Sequence, residues 1–169
     1  IQMIIDPVCS LAFEAESEER NVMQRPPRRA DTPLFSHWLV SWSVIQGSVV
    51  LAVTGGLTLY FWRSGLNATQ LRSAAFLALV LGITSLILIN RRFGASMRSA
   101  LRSPNPVLRI VLGLVAIMLA ATQFVPAIAD LFAFGRVTGQ AMLVIALASS
   151  AALFLLEQLK PHWGKRLLE

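Results

Sequence analysis

The chain has 169 residues, of which 55% are hydrophobic and 14% charged, with a formal net charge of +6. An ordinary soluble domain interleaves charge along amphipathic elements, whereas here charge is confined almost wholly to the segments between long apolar runs. The basic residues lie beside those runs without the aromatic interleaving of a nucleic-acid surface, so no nucleic-acid partner is expected, and a single cysteine, Cys9, excludes an internal disulfide.

In chain order, residues 1–13 come first: apolar, too short to span, and interrupted by Asp6-Pro7. They lack the basic n-region and small-residue cleavage site of a signal peptide. They read as the inner half of a transmembrane helix whose beginning is missing. Residues 14–37 then form a cytoplasmic loop, with an acidic cluster (Glu14, Glu16, Glu18, Glu19) followed by Arg25-Pro26-Pro27-Arg28-Arg29. Four long apolar runs follow at about 38–62, 74–90, 107–128 and 137–156, matching the roughly 17–25 helical residues that cross a hydrocarbon core. Residues 157–169 read as a cytoplasmic tail.

The run 74–89 has no charged residue, and its only strongly polar groups are Thr84 and Ser85. It is apolar all round, which a helix lying on a surface is not. Length and the lack of alternation exclude strands, and in lipid the backbone must satisfy its own hydrogen bonds. The expected fold class is therefore all-α: an integral membrane helical bundle, with four full transmembrane helices plus the C-terminal half of a fifth, and a lipid bilayer as its surroundings. Trp38, Trp42, Tyr60, Trp62 and Trp163 fall near span ends, as an interfacial aromatic belt requires. With the segment before Trp38 placed in the cytoplasm, the inner side holds twelve of the fifteen Lys and Arg residues, and the outer side keeps Arg63, Arg72 and Arg136. Gly47, Gly55 and Gly56, with Ala52, are expected to allow close helix approach. Pro126 is expected to kink or end its span, Glu157 to mark the interfacial end of the last helix, and His37 and His162 to stand without companion ligands. The Asn67-Ala68-Thr69 sequon lies too close to the membrane on both sides to carry weight.

Chemistry concentrates in the first segment. Gln2, Asp6, Ser10 and Glu14 recur every four residues and so share one slowly drifting helix face. An ionisable group inside a membrane helix is costly and marks a functional site by default. Pro7 has no N–H to bond the carbonyl of Met3, and its ring pushes that carbonyl aside. A freed carbonyl, a carboxylate and an amide oxygen in one turn suit a hard cation such as Ca²⁺, Mn²⁺ or Na⁺, or a proton. The residues alone leave a second reading open, in which Asp6 caps a helix near the water surface.

Asp6-Pro7-Val8-Cys9-Ser10, Phe13-Glu14-Ala15-Glu16, Met23-Gln24-Arg25-Pro26-Pro27-Arg28 and Pro33-Leu34 resemble the end of the sixth membrane helix and the following loop of cation-transporting P-type ATPases. The first two segments resemble in particular a bacterial, calcium-pump-like group. Asn90-Arg91, Val125-Pro126 and Leu131-Phe132 resemble that family's last three helices. The resemblance implies that the five pieces are helices six to ten of a ten-helix pump in a cell membrane, by subgroup the bacterial inner membrane, which couples ATP hydrolysis, with Mg²⁺, to cation movement. It implies that Asp6 is a cation ligand, that Gln2 supplies an amide ligand four residues earlier, and that the loop carrying Arg25, Pro26, Pro27 and Arg28 docks on the phosphorylation domain. Ile5 departs from the calcium-pump pattern, which has a hydroxyl there, and the span 74–90 lacks the carboxylate that some calcium pumps carry; one cation site or another ion is as consistent as two calcium ions. The D-K-T-G phosphorylation motif and the nucleotide and actuator domains are not in this sequence, so no cofactor and no ATP hydrolysis are expected of these residues alone. The missing N-terminal helices and cytoplasmic domains of the same pump are the implied partners. The competing expectation is a non-catalytic membrane scaffold or partner subunit.

Overall fold

The computed structural model describes Ser10, Glu14 and residues 36–90 and 106–167, with side chains described as far as Lys160. It is all-helical over these residues. The elements are α1 (His37–Arg63), α2 (Ala68–Asn90), α3 (Pro106–Phe124), a short α4 (Pro126–Leu131) and α5 (Gly139–Leu167). Within them, four helices are long and apolar enough to cross a membrane: α1, α2, α3 and the Gly139–Lys160 part of α5.

Each helix starts and stops where local chemistry allows. Ser36 caps α1 by accepting from the Leu39 N–H at 3.2 Å. The same helix ends at Gly65, whose φ of +83° takes the left-handed conformation that costs glycine nothing. That turn lets the N–H groups of Gly65 and Leu66 bond the carbonyls of Trp62 and Phe61, filling acceptors that a helix end leaves empty. Asn67 then opens α2, its Oδ1 accepting from the Gln70 N–H at 2.9 Å and the Thr69 hydroxyl at 2.8 Å. The asparagine of the sequon is thus engaged as a helix cap. Pro126 ends its span: α3 stops at Phe124, Val125 is extended, and Pro126 begins α4, where its missing N–H removes no helical bond. Thr138 caps α5 through the Ala141 N–H at 3.3 Å.

α2 lies at the centre, touching α1, α5 and α3. Near the turn between α1 and α2, Leu57 and Phe61 of α1 pack with Ala74, Leu77 and Ala78 of α2 and Ala141 and Ile145 of α5. Toward the opposite end, Trp42, Ile89 and Leu156 form a second cluster across the same three helices, while Ile87 meets Leu108 of α3. The outward surface is apolar too, with Val44, Leu51, Ile110, Ile117, Leu147 and Phe154 all exposed. A soluble protein seldom shows so broad an apolar face; lipid is its natural cover.

Two expectations change here. Trp38, Tyr60 and Trp62 do point outward, but Trp42 is only 1% exposed and belongs to the core with Ile89 and Leu156 rather than to the aromatic belt. Nor, among the described residues, do Gly47, Gly55 and Gly56 make a close approach: a Cβ added at any of them meets nothing there within 4 Å. The tight contact falls on Gly82 instead, where a Cβ would lie 2.8 Å from Val50 Cγ1 across the α1–α2 seam. The hydropathy of α1 and α2 is spread around their circumference, so sequence spacing gave no sign of which glycine faced inward.

Candidate functional site

The residues with the strongest claim to cation chemistry, Asp6, Gln2, Met3 and Pro7, and the loop residues Arg25, Pro26, Pro27 and Arg28, all lie outside the described residues. Two members of the same four-residue series are described. Ser10 and Glu14 are both helical, and the Ser10 hydroxyl donates to Glu14 Oε1 at 2.9 Å, so these two share one helix face.

At the end of the bundle where α2 finishes, three helices are joined by polar groups. Gln46 on α1 and Asn90 at the end of α2 form a reciprocal amide pair. Gln46 Nε2 donates to Asn90 Oδ1 at 2.9 Å, and Asn90 Nδ2 donates to Gln46 Oε1 at 3.0 Å. Beside them, Lys160 of α5 is only 7% exposed and donates from Nζ to the Ile89 carbonyl at 2.7 Å. Ile89 O is one of the last four carbonyls of α2, which have no partner further along their own helix. A cation at that position also meets the negative end of the helix dipole. The sequence placed Lys160 among the inner-side basic residues; the structure turns it inward, into a helix cap.

A second polar junction closes the opposite end. Gln123, the penultimate residue of α3, donates from Nε2 to Ser73 Oγ of α2 at 2.7 Å and accepts from the Val137 N–H, just before α5, at 3.2 Å. The loop between α4 and α5 is drawn onto the start of α2 by Gly135 N–H donating to the Thr69 carbonyl at 3.0 Å and by Arg72 donating to the Ala133 carbonyl at 3.1 Å. Gly135 has no room for a side chain, since a Cβ would sit 2.8 Å from the backbone nitrogen of Gln70.

Chemically these junctions are cross-links. Their amides and hydroxyls bond one another, and among the described residues no group of three or more His, Cys, Asp or Glu lies together as a metal site would need. Gln46 and Gln123 escaped the sequence reading, although each is a lone amide within an apolar run, and in lipid such a group seeks a partner on another helix.

Fold and junctions together define a multi-pass membrane protein whose described helices form a cross-braced scaffold. Residues 1–161 match the family model described as cation transporting ATPase, C-terminus, and the chain belongs to that family. No curated protein matches the chain.

Proposed function

We propose that this C-terminal membrane domain takes part directly in binding the transported cation, with Asp6 as the charged ligand, Gln2 as an amide ligand one turn away, and the Met3 carbonyl, released by Pro7, as a third oxygen. The observation that carries this reading is a carboxylate within an apolar segment, beside a proline, in a chain whose family match runs from residue 1. A carboxylate at membrane depth is expensive unless a cation or hydrogen bonds compensate it. Oxygen ligands of this kind select a hard cation, and Ca²⁺, Mn²⁺, Na⁺ and a proton all fit the donor set.

In this reading the full-length protein belongs to the bacterial calcium-pump-like group and sits in the inner membrane. Its cytoplasmic domains bind ATP with Mg²⁺ and pass a phosphoryl group to an aspartate outside this sequence. Arg25 and Arg28, stiffened by Pro26-Pro27, dock the loop on the phosphorylation domain through bidentate pairs with carboxylates. The described helices form a braced scaffold: α2, tied at both ends, cannot shift against α1 and α5 without breaking the amide pair or the lysine cap.

The test is ATP hydrolysis by the full-length protein across a panel of cations. One hard cation is expected to stimulate turnover, and Arg25→Ala combined with Arg28→Ala is expected to reduce it while membrane insertion survives. Turnover indifferent to every cation would contradict the transport reading, and unchanged turnover in the double variant would contradict the docking role.

A further inference from the structure

The end of the bundle that carries the α1–α2 turn holds three exposed arginines: Arg63 in the last turn of α1, Arg72 in α2 and Arg136 shortly before α5. Among the described residues of α1 to α5 the only carboxylates are Asp130 and Glu157, and Glu157 belongs to the far end of α5. No ion pair joins Asp130 to any of the three arginines among these residues. The loop between α4 and α5 brings two of the arginines onto adjoining segments. The Arg72 guanidinium donates to the Ala133 carbonyl at 3.1 Å, and the Gln70 side-chain amide donates to the Arg136 carbonyl at 3.3 Å. Phe134 holds the loop down between them, its ring 4.9 Å from that of Phe76 on α2 and 5.6 Å from that of Phe132. A guanidinium has five N–H donors, and the Ala133 carbonyl is the one acceptor that Arg72 meets among the described residues.

We propose that Arg72 and Arg136 hold the phosphate of an anionic phospholipid at this end of the bundle, with Arg63 adding to the attraction. Helix α2 is long and apolar enough to cross a membrane, and Arg72 lies four residues into it, about 6 Å along its axis. A charge at that depth is costly unless it is answered, and one neutral carbonyl does not answer it. Phosphate does, because the planar guanidinium fork matches its oxygens with two parallel bonds. The flanks select a lipid over a soluble anion. Trp62, next to Arg63, and Leu131 and Phe132, next to Ala133, are large, apolar and exposed. A ligand that carries acyl chains below its phosphate meets both the arginines and these side chains. The charge balance selects an anionic lipid over a zwitterionic one. Three guanidiniums against Asp130 leave this end positive, and a choline headgroup brings a cation of its own.

The test uses the full-length protein in nanodiscs of phosphatidylcholine, with or without phosphatidylglycerol replacing part of the lipid. Phosphatidylglycerol should raise the midpoint of thermal unfolding, and Arg72→Gln combined with Arg136→Gln should remove that rise. Arg109→Gln should keep it, since Arg109 is exposed near the start of α3, at the far end of the bundle. Because Arg72→Gln also alters a loop contact, native mass spectrometry of the detergent-solubilised protein reads binding itself. The double variant should retain one phosphatidylglycerol fewer than the unsubstituted protein. A full rise or an unchanged count in the double variant, or no preference for phosphatidylglycerol over phosphatidylcholine, would overturn the proposal. So would an equal loss in Arg109→Gln, which would reduce the effect to general charge. Glycerol phosphate in detergent should not reproduce the rise; if it did, the arginines would bind free phosphate and the lipid assignment would fail. Density for a protein carboxylate against Arg72 and Arg136 in the full-length protein would likewise give this surface to another protein segment.

Discussion

Gly82 shows how much one missing side chain decides. Its bare backbone lets Val50 settle against α2, and a methyl group there would fall 2.8 Å from Val50 Cγ1. Valine has a single strongly preferred rotamer in a helix, so the clash is not relieved by a turn of the side chain. Gly82→Ala is therefore expected to destabilise the full-length protein by about 1–3 kcal/mol, the usual range for overpacking. Val50→Ala should restore much of that loss in the double variant, because it removes the colliding methyl groups. Thermal unfolding of the two singles and the double reads the coupling; losses that simply add would mean that the two residues do not meet. Gly47, Gly55 and Gly56 give no such signature within this chain, although their spacing was the more suggestive.

At the scale of elements, Lys160 joins α5 to the C-terminus of α2. Lys160→Met keeps the apolar stem but leaves the Ile89 carbonyl without its donor, and a buried acceptor left unmet costs about 1–3 kcal/mol. The expected result is a lower unfolding midpoint with unchanged membrane insertion, and Lys160→Arg should lose less because a donor and a charge remain. An unchanged midpoint in Lys160→Met would show that the cap contributes nothing. The existence of the long helices was legible in the sequence, since lipid forces an apolar run of that length to satisfy its own backbone whatever it packs against. Which face turns inward was not. An all-round apolar helix carries no stripe to read, so Trp42 passed for an interfacial residue and Gly82 went unnoticed. Lys160 was hidden for a different reason: basic residues abound in the segments flanking the long helices, and one that folds back to cap a neighbouring helix looks the same in sequence as one that faces phosphate groups.

For the whole molecule, the family match extends over residues 1–161, from the Asp6-Pro7 segment through the four long helices, while the proposed cation site rests on the first of these. The candidate site was legible from residue type and position, because a carboxylate in an apolar segment needs a reason to be there. Its geometry was not, since the ligands that would complete the proposed cation shell lie on other segments and leave no trace in the spacing of this one. The measurement that bears on the central claim most directly is cation-dependent phosphorylation from ATP in the full-length protein carrying Asp6→Asn. Asparagine keeps the size and removes the charge, so phosphorylation should be abolished while expression and membrane insertion persist. Gln2→Ala should weaken apparent cation affinity more mildly, as befits a neutral ligand. Cation-dependent phosphorylation of Asp6→Asn with unaltered affinity would contradict the account, leaving Asp6 a structural residue and the site in other helices.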